Sequence, residues 1–316
     1  HQYLTRNQHL YHPKNTLIHS HNDTIDFSFF HLLFMNVLQI LSWAEGVLSQ
    51  AGVSTPRVDA EWILVSILQC RRSELILHPV PSPQQVETYR NLITQRSKRI
   101  PLQHLLGETE FYGLPFKTTP EALIPRPDTE TLIETVVSRL KDHPAPTLLD
   151  IGTGSGIVAI TLAHELPHAH VFAIDIAKPP LKLAHQNAYL NRVSQRIYFV
   201  QSNLFSALTQ MPKFDAIVSN PPYIPTQDIL SLEPEVQNHD PHLALDGGSD
   251  GLSFYRKIIP QSITRLTPGG ILALEIGYNQ ANAVSRLIEQ HPQWGPISAH
   301  KDLFGHTRVL VSQRQK

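Results

Sequence analysis

The feature that most constrains the fold is the run Leu148-Leu149-Asp150-Ile151 followed by Gly152-Thr153-Gly154-Ser155-Gly156 and the apolar stretch Ile157 to Glu165. A short apolar run, a glycine turn and a helix in that order form the first half of a βαβ unit, which needs a parallel sheet covered on both faces. Glycines in the turn let the backbone approach a ligand closely, and the helix N-terminus behind them presents free N–H groups. A second strand, Val171-Phe172-Ala173-Ile174, ends at Asp175, nineteen residues beyond Gly156. A carboxylate there can accept from both hydroxyls of a ribose. The glycine spacing is G-x-G-x-G, with Ile157 where the dinucleotide fingerprint places its last glycine, so a pyrophosphate cradle is not expected. The ligand left is a nucleoside without a pyrophosphate, of which S-adenosylmethionine is the commonest.

A third apolar run, Phe214 to Val218, delivers Asn220-Pro221-Pro222-Tyr223 to the carboxyl edge of the sheet, where open α/β sheets place their ligands. Each proline fixes φ and lacks an N–H, so the backbone there is stiff and its carbonyls are free to accept. Asn220 brings one acceptor and two donors, and Tyr223 an aromatic face. Together they suit a planar group that both donates and accepts, such as a carboxamide or the amino edge of a base. Further strands are expected over Ile197 to Val200, Ile271 to Ile276 and Thr307 to Val311, and helices over Pro180 to Leu190, Gly251 to Leu266 (kinked by Pro260) and Asn279 to Glu289. The segment from Ile224 to Gly251 reads as a substrate-covering loop. Within it, Asp246-Gly247-Gly248-Ser249-Asp250-Gly251 lacks the alternating oxygens and the distal Glu of a calcium loop, and no metal is expected.

The preceding part of the chain is different in kind. Residues 1 to 34 are polar, rich in histidine and without a sustained period, and read as a disordered extension; neither a transit nor a signal peptide fits them. His19 and His21 lack partners at ligand spacing. From Met35, Val37, Ile40, Leu41, Ala44, Val47 and Leu48 recur at helical spacing up to Gly52. Thr55-Pro56 and Ser82-Pro83 open further helices, with a short one from Ser73 between them. Residues 35–105 thus form a helical substrate-docking domain, 106–120 a β-hairpin linker around Gly113, and 121–316 the catalytic domain. In Ile124-Pro125-Arg126-Pro127-Asp128-Thr129-Glu130 the prolines hold an extended backbone and Asp128 or Thr129 can cap the next helix. The single Cys70 sits among Ile67, Leu68 and Leu75, which excludes a disulfide framework and predicts a buried thiol in a reducing cytoplasm. A net charge of −1 gives no broad basic surface for nucleic acid, and Asp26, His31 and Asn36 interrupt the one stretch that approaches a membrane span.

Asp150-Ile-Gly-Thr-Gly-Ser-Gly, Asn220-Pro-Pro-Tyr-Ile, Ile124-Pro-Arg-Pro-Asp-Thr-Glu, Ala244-Leu-Asp-Gly-Gly-Ser-Asp-Gly-Leu and Pro56-Arg-Val-Asp-Ala-Glu resemble the peptide chain release factor glutamine N5-methyltransferase family from about Met35 to the C-terminus. The resemblance implies a class I methyltransferase, an α/β fold with a Rossmann-like, mostly parallel sheet of seven strands whose last is antiparallel. It also implies S-adenosyl-L-methionine as cofactor and release factors as protein substrates of a monomer. Gly152, Thr153, Gly154, Ser155 and Gly156 would line the methionine end, Asp175 the ribose, and Asn203 and Leu204 the adenine, with Asn220 beside the cofactor. Position 203 is usually Asp in the family; Asn203 keeps an acceptor and loses the charge. Asn220, Pro221 and Tyr223 would be catalytic: the Asn220 side-chain oxygen and the Pro221 carbonyl accept the two amide N–H groups, and Tyr223 packs on the amide. Pro222, Phe111 and Arg126 would complete the substrate contacts. Two other readings of the residues are an RNA or DNA amino-methyltransferase and a non-catalytic adenosylmethionine-binding adaptor.

Overall fold

The computed structural model describes residues 35–316; the extension expected over 1–34 lies outside the described residues. The change of pattern at Met35 corresponds to a helix start. Asn36 accepts from the Gln39 N–H at 3.0 Å and its own N–H is taken by the Gln39 side chain at 2.9 Å, closing a capping box ahead of α1 (Val37–Gln50). α2 (Pro56–Leu68) carries proline in its first turn, but Thr55 makes no capping bond: its hydroxyl donates to Asp59 at 2.8 Å. α3 (Pro83–Ser97) starts at a second capping box, Ser82 with Gln85, and the short α4 (Leu102–Leu106) stops at Gly107 in the left-handed region. The expected helix from Ser73 is a 3₁₀ turn over Arg72–Leu77. Val37, Ile40, Leu41, Ala44 and Leu48 bury their side chains against Ala60, Ile63, Leu64, Tyr89 and Ile93, so this helical unit has an apolar core of its own. Cys70 is half-buried rather than buried, because it stands past the end of α2 where the chain turns outward.

A two-stranded antiparallel hairpin, β1 (Glu108–Phe111) and β2 (Leu114–Lys117), follows. Tyr112 and Gly113 both have positive φ, as a two-residue hairpin turn requires. The main sheet has seven strands: β3 (Thr147–Ile151), β4 (His170–Asp175), β5 (Ile197–Gln201), β6 (Phe214–Ser219), β7 (Leu266–Glu275), β8 (Trp294–Lys301) and β9 (Thr307–Arg314). Their spatial order is β5-β4-β3-β6-β7-β9-β8, and β9 pairs antiparallel to both neighbours. Helices α5 (Glu130–Leu140), α6 (Ile157–Glu165), α7 (Lys178–Leu190), α10 (Tyr255–Arg265) and α11 (Ala281–Glu289) cover the sheet, whose two faces form separate apolar clusters. The segment 224–251 is not a structureless loop; it contains a 3₁₀ turn over Thr226–Ser231 and the short helices α8 (Pro234–His239) and α9 (His242–Leu245).

The order of the strands decides where a ligand can sit. The chain runs outward from β3 through β4 to β5, then returns to the other side of β3 as β6. The crevice at such a switch point, outside the carboxyl ends of β3 and β6, is the ligand position of open α/β sheets. The glycine turn and Asn220-Pro221-Pro222 leave the sheet there. No helix among the described residues is long and apolar enough to cross a membrane.

Candidate active site

One cavity occupies the switch point. Its floor is the turn after β3. The Ile174 carbonyl at the end of β4 accepts from the Gly152 and Thr153 N–H groups, both at 2.9 Å. Asp175 accepts from the Gly154 N–H at 3.0 Å with one oxygen and from the Ala177 N–H at 3.0 Å with the other. The carboxylate is thereby held at the cavity wall with lone pairs to spare for a diol. Gly152 and Gly154 have φ of +74° and +54°, and a Cβ on either would meet nothing within 4 Å. Here glycine is required by the backbone and leaves open space on the ligand side. Gly156 serves another purpose: its missing Cβ would stand 2.8 Å from the Ile160 Cδ1 and 3.0 Å from the Ala184 Cβ. It lets α6 pack against α7 and does not line the cavity, unlike Gly152, Thr153, Gly154 and Ser155. Asn187 of α7 braces the same turn by donating to the Ser155 carbonyl at 3.0 Å, while pairing with the backbone of Lys117 in the hairpin.

Asp150 lines the cavity from below and had no functional reading in the sequence. Its Oδ2 accepts from the Thr153 hydroxyl at 2.6 Å and the Ala159 N–H at 3.2 Å, which fixes the turn to the start of α6. Burial pushes its carboxyl up to about 7, against these two hydrogen bonds. Folding therefore raises the affinity of this group for its proton. The stabilisation that results is complete below the unfolded value near 3.8 and is lost as pH rises through about 7. Asp150→Asn is expected to flatten the stability curve by at most about 2–3 kcal/mol between pH 5 and pH 7. Urea titrations of parent and variant at the two pH values measure this difference, and parallel curves would refute it.

The opposite wall comes from β6 and the segment that folds over it. The Ser219 hydroxyl donates to the Ile151 carbonyl at 2.8 Å, tying the two strand ends together. Asn220, Pro221 and Pro222 line the cavity, as do Asn203 and Leu204 beyond β5 and Arg126 and Thr129 before α5. The Asn220 Nδ2 donates to the Thr129 Oγ1 at 3.2 Å. Thr129 is fully buried and makes no cap for α5; its hydroxyl is turned to the cavity wall instead. Arg126 is paired with the buried Asp240 at 2.8 Å, which secures the end of α8 over the cavity. The segment 224–251 doubles back on β6's exit: the Ile224 N–H donates to Leu245 and the Gly247 N–H to Ile224. A Cβ on Gly247 or Gly251 would fall within 2.8 Å of the Tyr223 backbone, so the glycine-rich run expresses close packing.

Besides Gly156, two further sequence-expected residues lie outside the cavity lining. Phe111 is 4% exposed and packs edge-on against Phe116, so the hairpin uses it as a core anchor and it does not line the cavity. Tyr223 does not line the cavity; after Pro222 its ring packs on the sheet's apolar cluster and its carbonyl accepts from the Gln280 Nε2 at 2.9 Å. Behind Asn220, at the end of β7, Glu275 is buried and its carboxyl is pushed up to about 7 by burial. Thr129 lowers it, Asp128 raises it, and Arg308 and Asn220 lower it.

The covering segment is also tied to the helical unit. Arg96 of α3 donates to Asp59 at 2.6 Å and to Glu235 of α8 at 2.8 Å, and Arg99 pairs with the same Glu235 at 2.5 Å.

Among known proteins, a family model described as the PrmC N-terminal domain matches residues 39–107, and the methyltransferase small domain matches residues 127–233. The curated release factor glutamine methyltransferase of Geobacter sulfurreducens is 43% identical over 251 residues, covering 78% of this chain and 86% of that protein. That of Moorella thermoacetica is 39% identical over 284 residues, covering 89% of this chain and all (100%) of that protein. Among solved structures, the hMettl16 catalytic domain in complex with the MAT2A 3'UTR hairpin 6 superposes with a TM-score of 0.54 at 20% identity, covering 71% of this chain and 82% of that one, which shows a shared fold. With both walls of the cavity and the helical unit falling inside the matched length, the chain belongs to the release factor glutamine methyltransferase family.

Proposed function

We propose that this chain transfers the methyl group of S-adenosyl-L-methionine to the side-chain amide nitrogen (N5) of the glutamine in the GGQ motif of peptide chain release factors. The observation that carries the reading is the meeting, in one cavity, of a glycine turn with a strand-end carboxylate and of an asparagine followed by two prolines. The residues fit the cofactor: Gly152 and Gly154 leave open space beside the turn, and Asp175 holds lone pairs toward it. Gly152, Thr153, Gly154 and Ser155 would hold its methionine end, Asp175 its ribose, and Asn203 and Leu204 its adenine. When bound it supplies a sulfonium methyl already activated for transfer.

The chain's own work is to orient and polarise a poor nucleophile. An amide nitrogen has its lone pair delocalised into the carbonyl. With Nδ2 of Asn220 engaged by Thr129, its Oδ1 is the atom left for a substrate N–H, and the Pro221 carbonyl accepts the other. Acceptance of both protons pushes electron density onto nitrogen and fixes its direction of attack. The N–C bond forms as the S–C bond breaks, and the N-protonated amide, a strong acid, gives its proton to water without an assigned base. The helical unit, residues 35–105, docks the protein substrate, and the chain works as a cytoplasmic monomer without binding nucleic acid or membrane. Near-neutral charge supports the choice of protein over nucleic acid. The test is transfer of labelled methyl from S-adenosylmethionine. Label in a release factor carrying GGQ, lost when that glutamine is changed to alanine, is expected. Label in RNA or DNA favours the amino-methyltransferase reading, and cofactor binding without transfer favours an adaptor.

A further inference from the structure

Glu275 has no part in the chemistry above, yet its position demands an account. It is 1% exposed at the end of β7, paired in register with Val309 of β9, and does not line the cavity. Its Oε2 has no hydrogen-bond partner among the described residues. A buried carboxyl left half-satisfied is costly, and such groups persist where they serve a purpose. Its neighbours on the cavity side are Thr129 and Asn220.

We propose that Glu275 is a positioning residue that, through the Thr129 hydroxyl, sets which end of the Asn220 amide faces the cavity. The inference rests on the proposed methyl transfer to a carboxamide. An ionised carboxylate can only accept, so Thr129 gives its single proton to Glu275, and its oxygen is left to accept from the Asn220 Nδ2 at 3.2 Å. The amide nitrogen is drawn inward and Oδ1 is turned outward to the glutamine N–H. With Glu275 protonated the polarity reverses: Glu275 donates to Thr129, Thr129 donates to Asn220, and Oδ1 is drawn inward. The substrate N–H groups then meet an N–H group and lose their acceptor. The charged and titratable groups facing Glu275 are Asp128, Arg308 and Tyr223, and the Tyr255 hydroxyl donates to the Glu275 backbone carbonyl at 2.8 Å. Arg308 bridges Asp128 at 2.8 Å and Asp302 at 3.0 Å, so its charge is already shared. Burial, which pushes the Glu275 carboxyl up to about 7, places the reversal within the working range of an enzyme.

The experiment follows kcat/KM for a release factor at pH 6 and pH 8, with the cofactor dissociation constant measured alongside by calorimetry. The parent is expected to fall about tenfold from pH 8 to pH 6, the ionised fraction of one group titrating near 7. Glu275→Gln is expected to bind cofactor like the parent, to transfer at least about tenfold more slowly at pH 8, and to lose the fall toward pH 6. Asp150 titrates in the same range but is present in both proteins, so it cancels in their ratio. Thr129→Val should behave like Glu275→Gln, and Thr129→Ser, which keeps the hydroxyl, should recover most of the rate. A Glu275→Gln protein that tracks the parent at both pH values, or a parent-to-variant ratio independent of pH, overturns the proposal. If Glu275→Gln does not fold, equal rates for Thr129→Val and Thr129→Ser overturn it. A parent that transfers no methyl to any release factor overturns the proposed function, and this inference with it; an active parent with an indifferent variant overturns the inference alone.

Discussion

Asn220→Asp is expected to cut kcat/KM for release factor by at least about tenfold, with the protein folded and the cofactor still bound. The substitution keeps size and shape and exchanges the Nδ2 donor for a second anionic oxygen. That oxygen faces Thr129, whose one proton cannot serve both the new carboxylate and Glu275 behind it. Two carboxylates on one hydroxyl repel, so one of them takes up a proton and the donor pattern at the cavity wall is scrambled. A substrate amide left without its pairing atom loses about 1–3 kcal/mol for one unsatisfied group, and tenfold is the low end of that range. Single-turnover methylation of a purified release factor, with calorimetry on the cofactor, separates the two halves of the statement. Transfer at the parent rate would remove Asn220 from the site. Lost cofactor binding would make it part of the cofactor wall instead.

What the sequence made legible follows from how each residue does its work. Gly152, Gly154 and Asp175 shape the cavity through backbone and a strand-end carboxylate at fixed spacing, so a linear pattern reveals where they stand. Gly156 shares that pattern, but its purpose depends on Ala184 in another helix, which no local pattern announces. The β8 strand was unread because Gly295 and Pro296 interrupt it, and both are tolerated only because β8 is the edge of the sheet. Tyr223 adjoins Pro222 but does not line the cavity; its ring packs on the sheet's apolar cluster, a placement set by contacts with distant elements that no local pattern announces. Thr129 sits where a cap is wanted, and only the sheet's topology, which brings β6 beside α5's entrance, shows that Asn220 claims its hydroxyl. Glu275 was hidden for the complementary reason. A charge ending an apolar strand reads as the point where solvent begins, and here β9 and α10 continue the core past it.

The largest effect on stability is expected at a distance from the chemistry, at Arg96. Its side chain is 5% exposed and joins three elements: α3, Asp59 of α2 with 6% side-chain exposure, and Glu235 of α8. Arg99 can hold Glu235 without it, at 2.5 Å, but among the described residues nothing else pairs with the Asp59 Oδ2. Arg96→Ala therefore strands a buried carboxylate, and removing one partner of a buried pair costs about 3–5 kcal/mol, more than exposed pairs contribute. Urea unfolding should show this loss, and Asp59→Leu added to Arg96→Met should recover much of it, since an apolar pair of similar volume no longer leaves a charge uncompensated. A loss below about 1 kcal/mol for Arg96→Ala would mean that water reaches Asp59 in the folded protein. The same substitution severs one of three ion pairs between the helical unit and the segment 224–251 that covers the cavity, leaving Arg99 on Glu235 and Glu233. At temperatures where the variant remains folded, its cofactor affinity should match the parent's, because no cofactor-side residue contacts Arg96. Its kcat/KM for a whole release factor should fall more than that for a short GGQ peptide, which needs the cavity but not a helical unit fixed to the covering segment.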